Sequence, residues 1–483
     1  MAKTYLKAVR VLIYGTLAVS TACVMNSATG ERQLIFMSQD REIEIGREAD
    51  TNIVSTLGMY EDEQLQRYVS QLGQRMAAYS EQPGLPWDFK VVDDPVVNAF
   101  ALPGGFIYVT RGILSYFNSE AELAAVLGHE IGHVTARHTA ERLSRSQLLG
   151  AGLIATMLVT PERFQGLVGV AALGTQVLFL KYGRADERQS DDLGFRYMRR
   201  AGYNPAAMPK VFSMLARVSA ASGAGRTPEW LSTHPNPENR EQRIAARIDS
   251  LPPDSLGGVT NRDRFLANLD GVIYGDDPRQ GFFEATRFYH PVLRFQLAFP
   301  DGWTTQNQRA AVLGVDPEQE GMIQVTITSY DSPENAARDF AAQSGVTGTA
   351  NRRSRINGLT AWQVDFSLAR DASTLRGTAT FISFEKRVYR VLGASESQAW
   401  DPISPSVLRA TESFSPLSDP EKLNVKPNRI EIVTVTESMS FQTFLQRYPS
   451  VVSNEEMELL NGLSTVDMLT AGQTVKRVVA ATH

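Results

Sequence analysis

The sequence predicts an α+β protein built from several domains. The chain has 483 residues, more than a single hydrophobic core usually organises. Residues 119–135 show the apolar spacing of a helix, whereas residues 285–415 contain runs in which apolar and polar residues alternate as in strands. Hydrophobic residues make up 43% of the chain and charged residues 21%, which is typical of globular domains and excludes a disordered chain.

Residues 1–23 are predicted to be a signal peptide that is not part of the fold. Three basic residues precede the apolar stretch 11–19, which is too short to span a bilayer. Cys23, the only cysteine, directly follows small residues. Lipidation of Cys23 after cleavage is one interpretation, and an ordinary signal peptide cut near Ala22 is the other. Both interpretations predict export, the first with a lipid anchor at Cys23.

The segment from His129 to His133 reads HExxH and carries the strongest chemical signal. Ser119 with Glu122 three residues later predicts a capped helix start upstream of it. Residues four apart share a helical face, so His129 and His133 can bind one zinc ion per chain. Glu130 can then act as general base toward the attacking water. Only six histidines occur in the chain, which makes accidental spacing a poor alternative.

A catalytic zinc usually has a third protein ligand. The helical-looking segment 184–194 offers Glu187 and Asp191, which lie four apart on one face. One of them can bind zinc while the other holds a ligand histidine by a hydrogen bond. By spacing alone a solvated charged face is the better interpretation, and Asp186 and Asp192 compete for the same roles.

Several motifs occur in a fixed order: Asn98 to Gly105, Val109 to Gly112, the HExxH helix, Glu187 to Gly194 and Ser232 to Pro235. With these motifs, residues 36–250 resemble the HtpX/CAAX-endopeptidase superfamily of zinc metalloproteases (gluzincins), in particular its periplasmic BepA/LoiP-like branch. The resemblance implies that Glu187 is the third zinc ligand and that Asp191 assists catalysis beside it. Gln189 and Ser190 depart from the Glu and Ala frequent in the family, at positions other than the ligand.

The resemblance also implies how substrate is held. In the family, a strand beside the zinc helix lines the cleft, and its edge can pair with an extended substrate. Asn98 and Gly105 are the predicted substrate-binding residues, with a simple turn as the alternative role of Asn98. His234 lies in a His-Pro loop that approaches the zinc in relatives, where the histidine either caps the metal or stabilises the oxyanion.

Three further expectations concern the neighbourhood of the motif. His138 is expected at the surface, one turn past HExxH, and Arg240 and Arg243 are expected to help hold the His234 loop. The stretch 147–180 is unusually apolar, but neither half reaches the length of a membrane span. A buried helical hairpin is predicted there, with contact to a membrane as the alternative.

The catalytic domain is predicted at residues 24–280, followed by two smaller domains. The segment 250–284, which is rich in Pro, Gly and Asp, and the segment 415–427 are interpreted as linkers. Residues 285–415 are a predicted β-rich α/β domain whose start resembles a PsbP-like or Mog1-like α/β sandwich. Residues 428–483 follow a βααβ order and resemble a LysM module. Ser438 to Phe441 stands where that family usually has Gly-Asp-Thr-Leu.

These features predict an exported zinc-dependent endopeptidase that hydrolyses misfolded or stalled cell-envelope proteins. Its role would lie in protein quality control and outer-membrane protein assembly. The implied partners are unfolded envelope proteins, the outer-membrane assembly machinery and peptidoglycan, with membrane contact through a lipid anchor. The net charge of −5 gives no support for nucleic-acid binding. The alternatives are a chaperone-like assembly factor and a peptidoglycan-associated scaffold, either with a mostly plugged zinc site.

Overall fold

The computed structural model describes residues 23–148, 182–221, 229–235, 237–252, 257–369 and 373–481. These residues form two compact units, one from residues up to 275 together with those from 428 onward, and one from residues 276–427. The predicted mixture of helices and sheets in a multidomain chain is confirmed. Residues 1–22 of the predicted signal peptide and most of the apolar stretch 147–180 lie outside the described residues.

The first unit contains the HExxH motif. Its helices are α1 (Gln39–Leu57), α2 (Glu63–Ala77), α3 (Arg111–Tyr116), α4 (Glu120–Thr135), α5 (His138–Leu148), α6 (Arg184–Arg200), α7 (Ala207–Ala221), α8 (Glu229–Thr233), α9 (Pro237–Asp249) and α10 (Arg262–Ala267). Its strands before residue 275 are β1 (Cys23–Met25), β2 (Arg32–Leu34), β3 (Asp88–Val92), β4 (Ala99–Leu102) and β5 (Phe106–Thr110). None of the described helices is both long and apolar enough to cross a membrane.

The HExxH motif lies on α4, which begins where the capping residues predicted. The Ser119 side chain accepts a hydrogen bond from the Glu122 amide, and the Glu122 carboxylate accepts one from the Asn118 amide. At the other end of α4, a hairpin of β1 and β2 supplies two side-chain amides to its last carbonyls. Asn26 donates to Thr135 O and Gln33 donates to Ala136 O. Hydrogen bonds from neighbouring residues therefore fix both ends of α4.

Helix α6 crosses α4 at very short range because glycines line the contact. A Cβ at Gly194 would lie 2.8 Å from the amide nitrogen of His129, and one at Gly132 would lie 2.9 Å from Cα of Ser190. Only a hydrogen in place of a side chain permits this approach. The close crossing brings the acidic face of α6 against both histidines of the motif.

A three-stranded sheet lies beside α4, in the order β3-β5-β4. Strands β3 and β5 are parallel, whereas β4 and β5 are antiparallel. Strand β4 is at the edge of the sheet, and it begins directly after Asn98.

The C-terminal segment packs within the first unit. Its elements are β17 (Asn428–Thr434), β18 (Met439–Ser440), α14 (Phe441–Arg447), α15 (Asn454–Asn461), β19 (Met468–Leu469) and β20 (Thr474–Ala480). The order β17-α14-α15-β20 matches the predicted βααβ order, and β17 pairs with β20. Lys476 on β20 is fully buried, and its side-chain nitrogen donates to the carbonyls of Ser115 in the last turn of α3 and Phe117 just after it.

The segment 250–284, interpreted as a linker, is partly built into this unit. Helix α10 buries Phe265 and Leu266, and Val272 is buried behind it. The Ile430 amide on β17 donates to the carbonyl of Val272. The sequence interpretation missed this packing because the short apolar run is surrounded by turn-forming residues.

The second unit is an α/β sandwich around a large antiparallel sheet. Its strands are β6 (Phe282–Glu284), β7 (Arg287–His290), β8 (Phe295–Ala298), β9 (Thr304–Gln308), β10 (Ala311–Val315), β11 (Gly321–Ile327), β12 (Val346–Ile356), β13 (Leu359–Ala369), β14 (Thr374–Phe384), β15 (Arg387–Glu396) and β16 (Ser415–Pro416). Its helices are α11 (Pro333–Ala341), α12 (Trp400–Glu412) and α13 (Pro420–Leu423). The seven-stranded sheet has the order β12-β13-β14-β15-β11-β10-β9, with α11 and α12 packed on opposite faces.

Candidate metal centre

Four buried side chains converge between α4, α6 and the loop after α8. They are His129, His133, Glu187 and His234, and each offers a ligand atom within 4.8 Å of the others. The two histidines of the motif point their Nε2 atoms at each other across 3.0 Å, and His234 Nδ1 lies 2.9 Å from a Glu187 oxygen. A set of imidazole and carboxylate donors with this spacing can hold a metal ion, and it suits zinc.

His129 is oriented by a carboxylate behind it. Its Nδ1 lies 3.0 Å from Asp191 Oδ1, so the carboxylate accepts the Nδ1 proton and Nε2 remains free to bind a metal. Asp191 in turn accepts two hydrogen bonds from the fully buried Arg240, at 2.6 and 2.9 Å. Burial alone would raise the pKa of Asp191, but Arg240 and His129 hold that pKa below its usual value.

Arg240 also neutralises the third predicted ligand. Its guanidinium lies 2.7 Å from Glu187 Oε2, and Trp230 and Phe212 cover the guanidinium plane at 4.8 and 4.5 Å from their ring centres. Burial would raise the pKa of Glu187, yet His234 and Arg240 lower it below its usual value. Arg240 thus pairs with both Glu187 and Asp191 of α6, which is a more central role than the loop-holding role expected for it.

His133 is held by His138, whose expected surface position is wrong. His138 is 1% exposed, and its Nδ1 lies 2.9 Å from Nδ1 of His133. Its other nitrogen, Nε2, lies 3.0 Å from the side-chain oxygen of Gln189 on α6. The left-handed conformation of Arg137, with a φ of 56°, turns the chain after α4 so that α5 begins facing α6.

Glu130 is completely buried beside the metal ligands. Neither carboxylate oxygen accepts a well-formed hydrogen bond from the described residues, and His234 Nε2 lies 3.7 Å from one of them. Burial raises the pKa of this carboxyl to about 7. Burial also lowers the pKa of His129 to about 4 and keeps that of His133 low, so both imidazoles are neutral at neutral pH.

His234 reaches the cluster from the loop after α8. Its amide donates to the carbonyl of Trp230 at 2.7 Å, and the indole of Trp230 stacks on its ring at 4.6 Å. Tyr182 also packs on the cluster, with its ring stacked on His133 at 3.8 Å and 5.2 Å from the ring of His234. Neither Trp230 nor Tyr182 was singled out in the sequence, because an aromatic residue outside a motif looks like ordinary core.

The predicted substrate-binding residues bracket the edge strand β4. Asn98 is buried immediately before β4, and its side-chain oxygen has no hydrogen-bond partner among the described residues. Gly105 is in the turn between β4 and β5 with a φ of 107°, a conformation that favours glycine. The positive φ at position 105 is sufficient to explain why a glycine is there. Contact between Gly105 and substrate stays a prediction.

Comparisons with known proteins agree with this chemistry. Residues 63–248 match the model of Peptidase family M48. A β-barrel assembly-enhancing protease of Yersinia pestis is 31% identical over 250 residues, covering 50% of this chain and 50% of that protein. The mitochondrial metalloendopeptidase OMA1 of Arabidopsis thaliana is 33% identical over 186 residues, covering 38% of this chain and 36% of the relative. The chain therefore spans half or less of the length of these relatives.

Among solved structures, the chain is similar to cyanobacterial PsbP (CyanoP) from Synechocystis, with 13% identity and a TM-score of 0.24 over 28% of this chain and 94% of that one. It is also similar to the Ran-binding protein Mog1p of Saccharomyces cerevisiae, with 8% identity and a TM-score of 0.23 over 28% of this chain and 97% of that one. The family match includes His129, His133 and Glu187, and proteins of this family use zinc. The matched segment and the named relatives together support a metalloendopeptidase domain of peptidase family M48 at residues 63–248.

Proposed function

We propose that this chain is an exported zinc-dependent endopeptidase that hydrolyses peptide bonds of misfolded or stalled cell-envelope proteins. The observation that carries the proposal is the buried convergence of His129, His133 and Glu187, with Glu130 on the same helix as the two histidines. The β-barrel assembly-enhancing proteases among the relatives support a role in outer-membrane protein assembly.

In the proposed reaction, His129, His133 and Glu187 hold the metal and Glu130 moves the proton. Zinc, when bound, supplies a Lewis acid that polarises the scissile carbonyl. Glu130 takes a proton from the attacking water and later gives it to the leaving amine. In the metal-free chain burial raises the pKa of Glu130 to about 7, which makes its carboxylate a stronger base than an exposed one. Asp191 orients His129 and thereby acts on the metal site indirectly.

The substrate is proposed to bind as an added strand. Strand β4 pairs with β5 on one side, so its other edge can pair with an extended peptide through backbone hydrogen bonds. Asn98, whose side-chain oxygen lacks a partner within the described part of the chain, is proposed to accept a hydrogen bond from such a peptide. Gly105 would let the peptide pass close to the backbone at the other end of β4. Because this mode of binding uses backbone groups of the peptide and few of its side chains, it suits misfolded substrates of varied sequence.

The proposed location is the periplasm, with an outer-membrane anchor at Cys23. Strand β1 begins at this residue, and the hairpin that follows it caps the catalytic helix. An anchor at Cys23 would therefore hold the catalytic unit close to the membrane without a flexible tether. The βααβ segment is proposed to act as a LysM-like module, and retention of the full chain on immobilised muropeptides would test that part.

The proteolytic function is tested with an unfolded outer-membrane β-barrel protein as substrate. We expect Glu130→Gln to lower the cleavage rate by about 10²- to 10⁴-fold, since the general base is lost while the metal ligands remain. Glu31→Gln, an exposed residue of the same unit, is the matched control and should cleave at the wild-type rate. Wild-type cleavage by Glu130→Gln would contradict the proposal.

A second function is favoured by the position of His234. Its Nδ1 lies 3.3 Å from Nε2 of His129, so it could fill the fourth metal position that a catalytic zinc keeps open. In that case the chain would act mainly as a chaperone-like assembly factor with a plugged site. His234→Ala separates the two roles of this residue: cleavage should rise sharply if His234 plugs the metal and fall sharply if it stabilises the oxyanion. Unchanged cleavage would show that His234 has neither role.

A further inference from the structure

A hydrogen-bonded relay of three side chains, His133, His138 and Gln189, leads from the metal site to α6. His133 Nδ1 lies 2.9 Å from His138 Nδ1, and His138 Nε2 lies 3.0 Å from the side-chain oxygen of Gln189. The Ser190 hydroxyl lies 3.4 Å from the same Nδ1 of His138. His133 and His138 are both about 1% exposed, so water does not compete for these bonds.

The proton positions in this hydrogen-bonded relay depend on one another. A 2.9 Å contact between the two Nδ1 atoms needs one donor and one acceptor, and burial of both rings disfavours a charged imidazolium, so each ring carries one proton. The Gln189 oxygen can only accept, which places the proton of His138 on Nε2 and leaves its Nδ1 as an acceptor. That acceptor holds the His133 proton on Nδ1, and the lone pair of His133 Nε2 then faces the metal site.

The opposite arrangement would be incompatible with metal binding. If position 189 donated a hydrogen bond, His138 would carry its proton on Nδ1 and His133 would carry its own on Nε2. A protonated Nε2 cannot bind a metal, because a ligand imidazole needs a free lone pair. His129 needs no such relay, since Asp191 accepts its Nδ1 proton directly.

We propose that Gln189, acting through His138, is a positioning residue that sets the tautomer of His133 for zinc. The inference rests on the proposed zinc site and assigns a purpose to two residues outside the ligand set. Outer hydrogen-bond partners of metal ligands typically change metal affinity by 10- to 100-fold when they are removed.

The test compares zinc affinity in three variants of the full chain by competition with a chromophoric chelator. Gln189→Leu removes the acceptor at similar volume, and zinc binding should weaken by about 10- to 100-fold. Gln189→Glu keeps an acceptor at the same place and should bind zinc at least as tightly as wild type. Gln64→Leu changes an exposed glutamine on α2 and should leave the affinity unchanged.

A second measurement reports the tautomer directly. Long-range ¹H–¹⁵N spectra of the metal-free, histidine-labelled chain should show His133 protonated on Nδ1 in wild type and in Gln189→Glu. Gln189→Leu should show a mixture of the two tautomers. Wild-type zinc affinity in Gln189→Leu, or equal weakening in the Leu and Glu variants, would overturn the inference. A wild-type chain that binds no zinc would instead overturn the proposed function.

Discussion

Replacing Gly194 with alanine should disturb the metal site without touching a ligand. A Cβ at position 194 would lie 2.8 Å from the His129 amide nitrogen and 2.9 Å from the carbonyl carbon of Gly128. Ordinary contacts between such atoms begin near 3.4 Å. Helix α6 would therefore have to retreat from α4 by about 0.6 Å, the difference between 3.4 and 2.8 Å. Overpacking of this kind costs about 1–3 kcal/mol of unfolding free energy.

The same retreat carries Glu187 and Asp191 away from the motif histidines, because both acidic residues lie on α6. Metal sites tolerate deviations of about 0.2 Å in ligand distances, so the shift exceeds the tolerance about threefold. We expect Gly194→Ala to bind zinc on the order of tenfold more weakly, or worse, in a chelator competition.

Gly84→Ala is the matched control for this prediction, because a Cβ at Gly84 would meet nothing within 4 Å. Urea denaturation of the zinc-free proteins measures the packing cost, and the chelator competition measures the displacement of the ligands. A Gly194→Ala variant with wild-type stability and wild-type zinc affinity would refute the argument that this glycine contact sets the site.

Three further variants probe the buried charges. Arg240→Met leaves Glu187 without its cation and leaves Asp191 with only the longer contact to Arg243, so zinc-free unfolding free energy should fall by about 3–5 kcal/mol. Arg247→Met, with a more exposed ion pair, should lose far less in the same urea titration. Lys476→Met leaves the two buried carbonyls that precede α4 without a donor and should cost about 1–3 kcal/mol each, whereas Lys210→Met should be neutral. Because burial raises the pKa of Glu130 from 4.5 to about 7, its protonated form stabilises the metal-free fold below pH 4.5, and this contribution is lost as pH rises through about 7. Metal-free Glu130→Gln should therefore gain stability relative to wild type across that interval, and parallel stability-pH curves would contradict the burial argument.

Local patterns were sufficient to predict the catalytic helix. Ser119 and Glu122 act within one turn, and the spacing of His129 and His133 follows from helix geometry alone. The βααβ order of the C-terminal segment was equally local. In these cases the interacting residues are close in the chain, so the sequence contains the whole pattern.

Residues whose roles depend on packing between distant segments were harder to predict. His138 looked like a surface residue because nothing near it in sequence shows that α6 covers it. Gln189 appeared only as a departure from a family pattern, and no pattern in the sequence marks Lys476, whose burial depends on packing against distant residues. Each becomes interpretable once the close approach of α4 and α6, or the packing of β20 against the segment before α4, is known.

The most direct test of the account measures zinc content and proteolysis on the same samples. Wild type and Glu130→Gln should each contain one zinc per chain by mass spectrometry, and only wild type should cleave casein. Glu187→Gln should lose most of its zinc and its cleavage together. Full casein cleavage by zinc-free wild type, or full zinc content in Glu187→Gln, would contradict the claim that His129, His133 and Glu187 hold the metal beside Glu130.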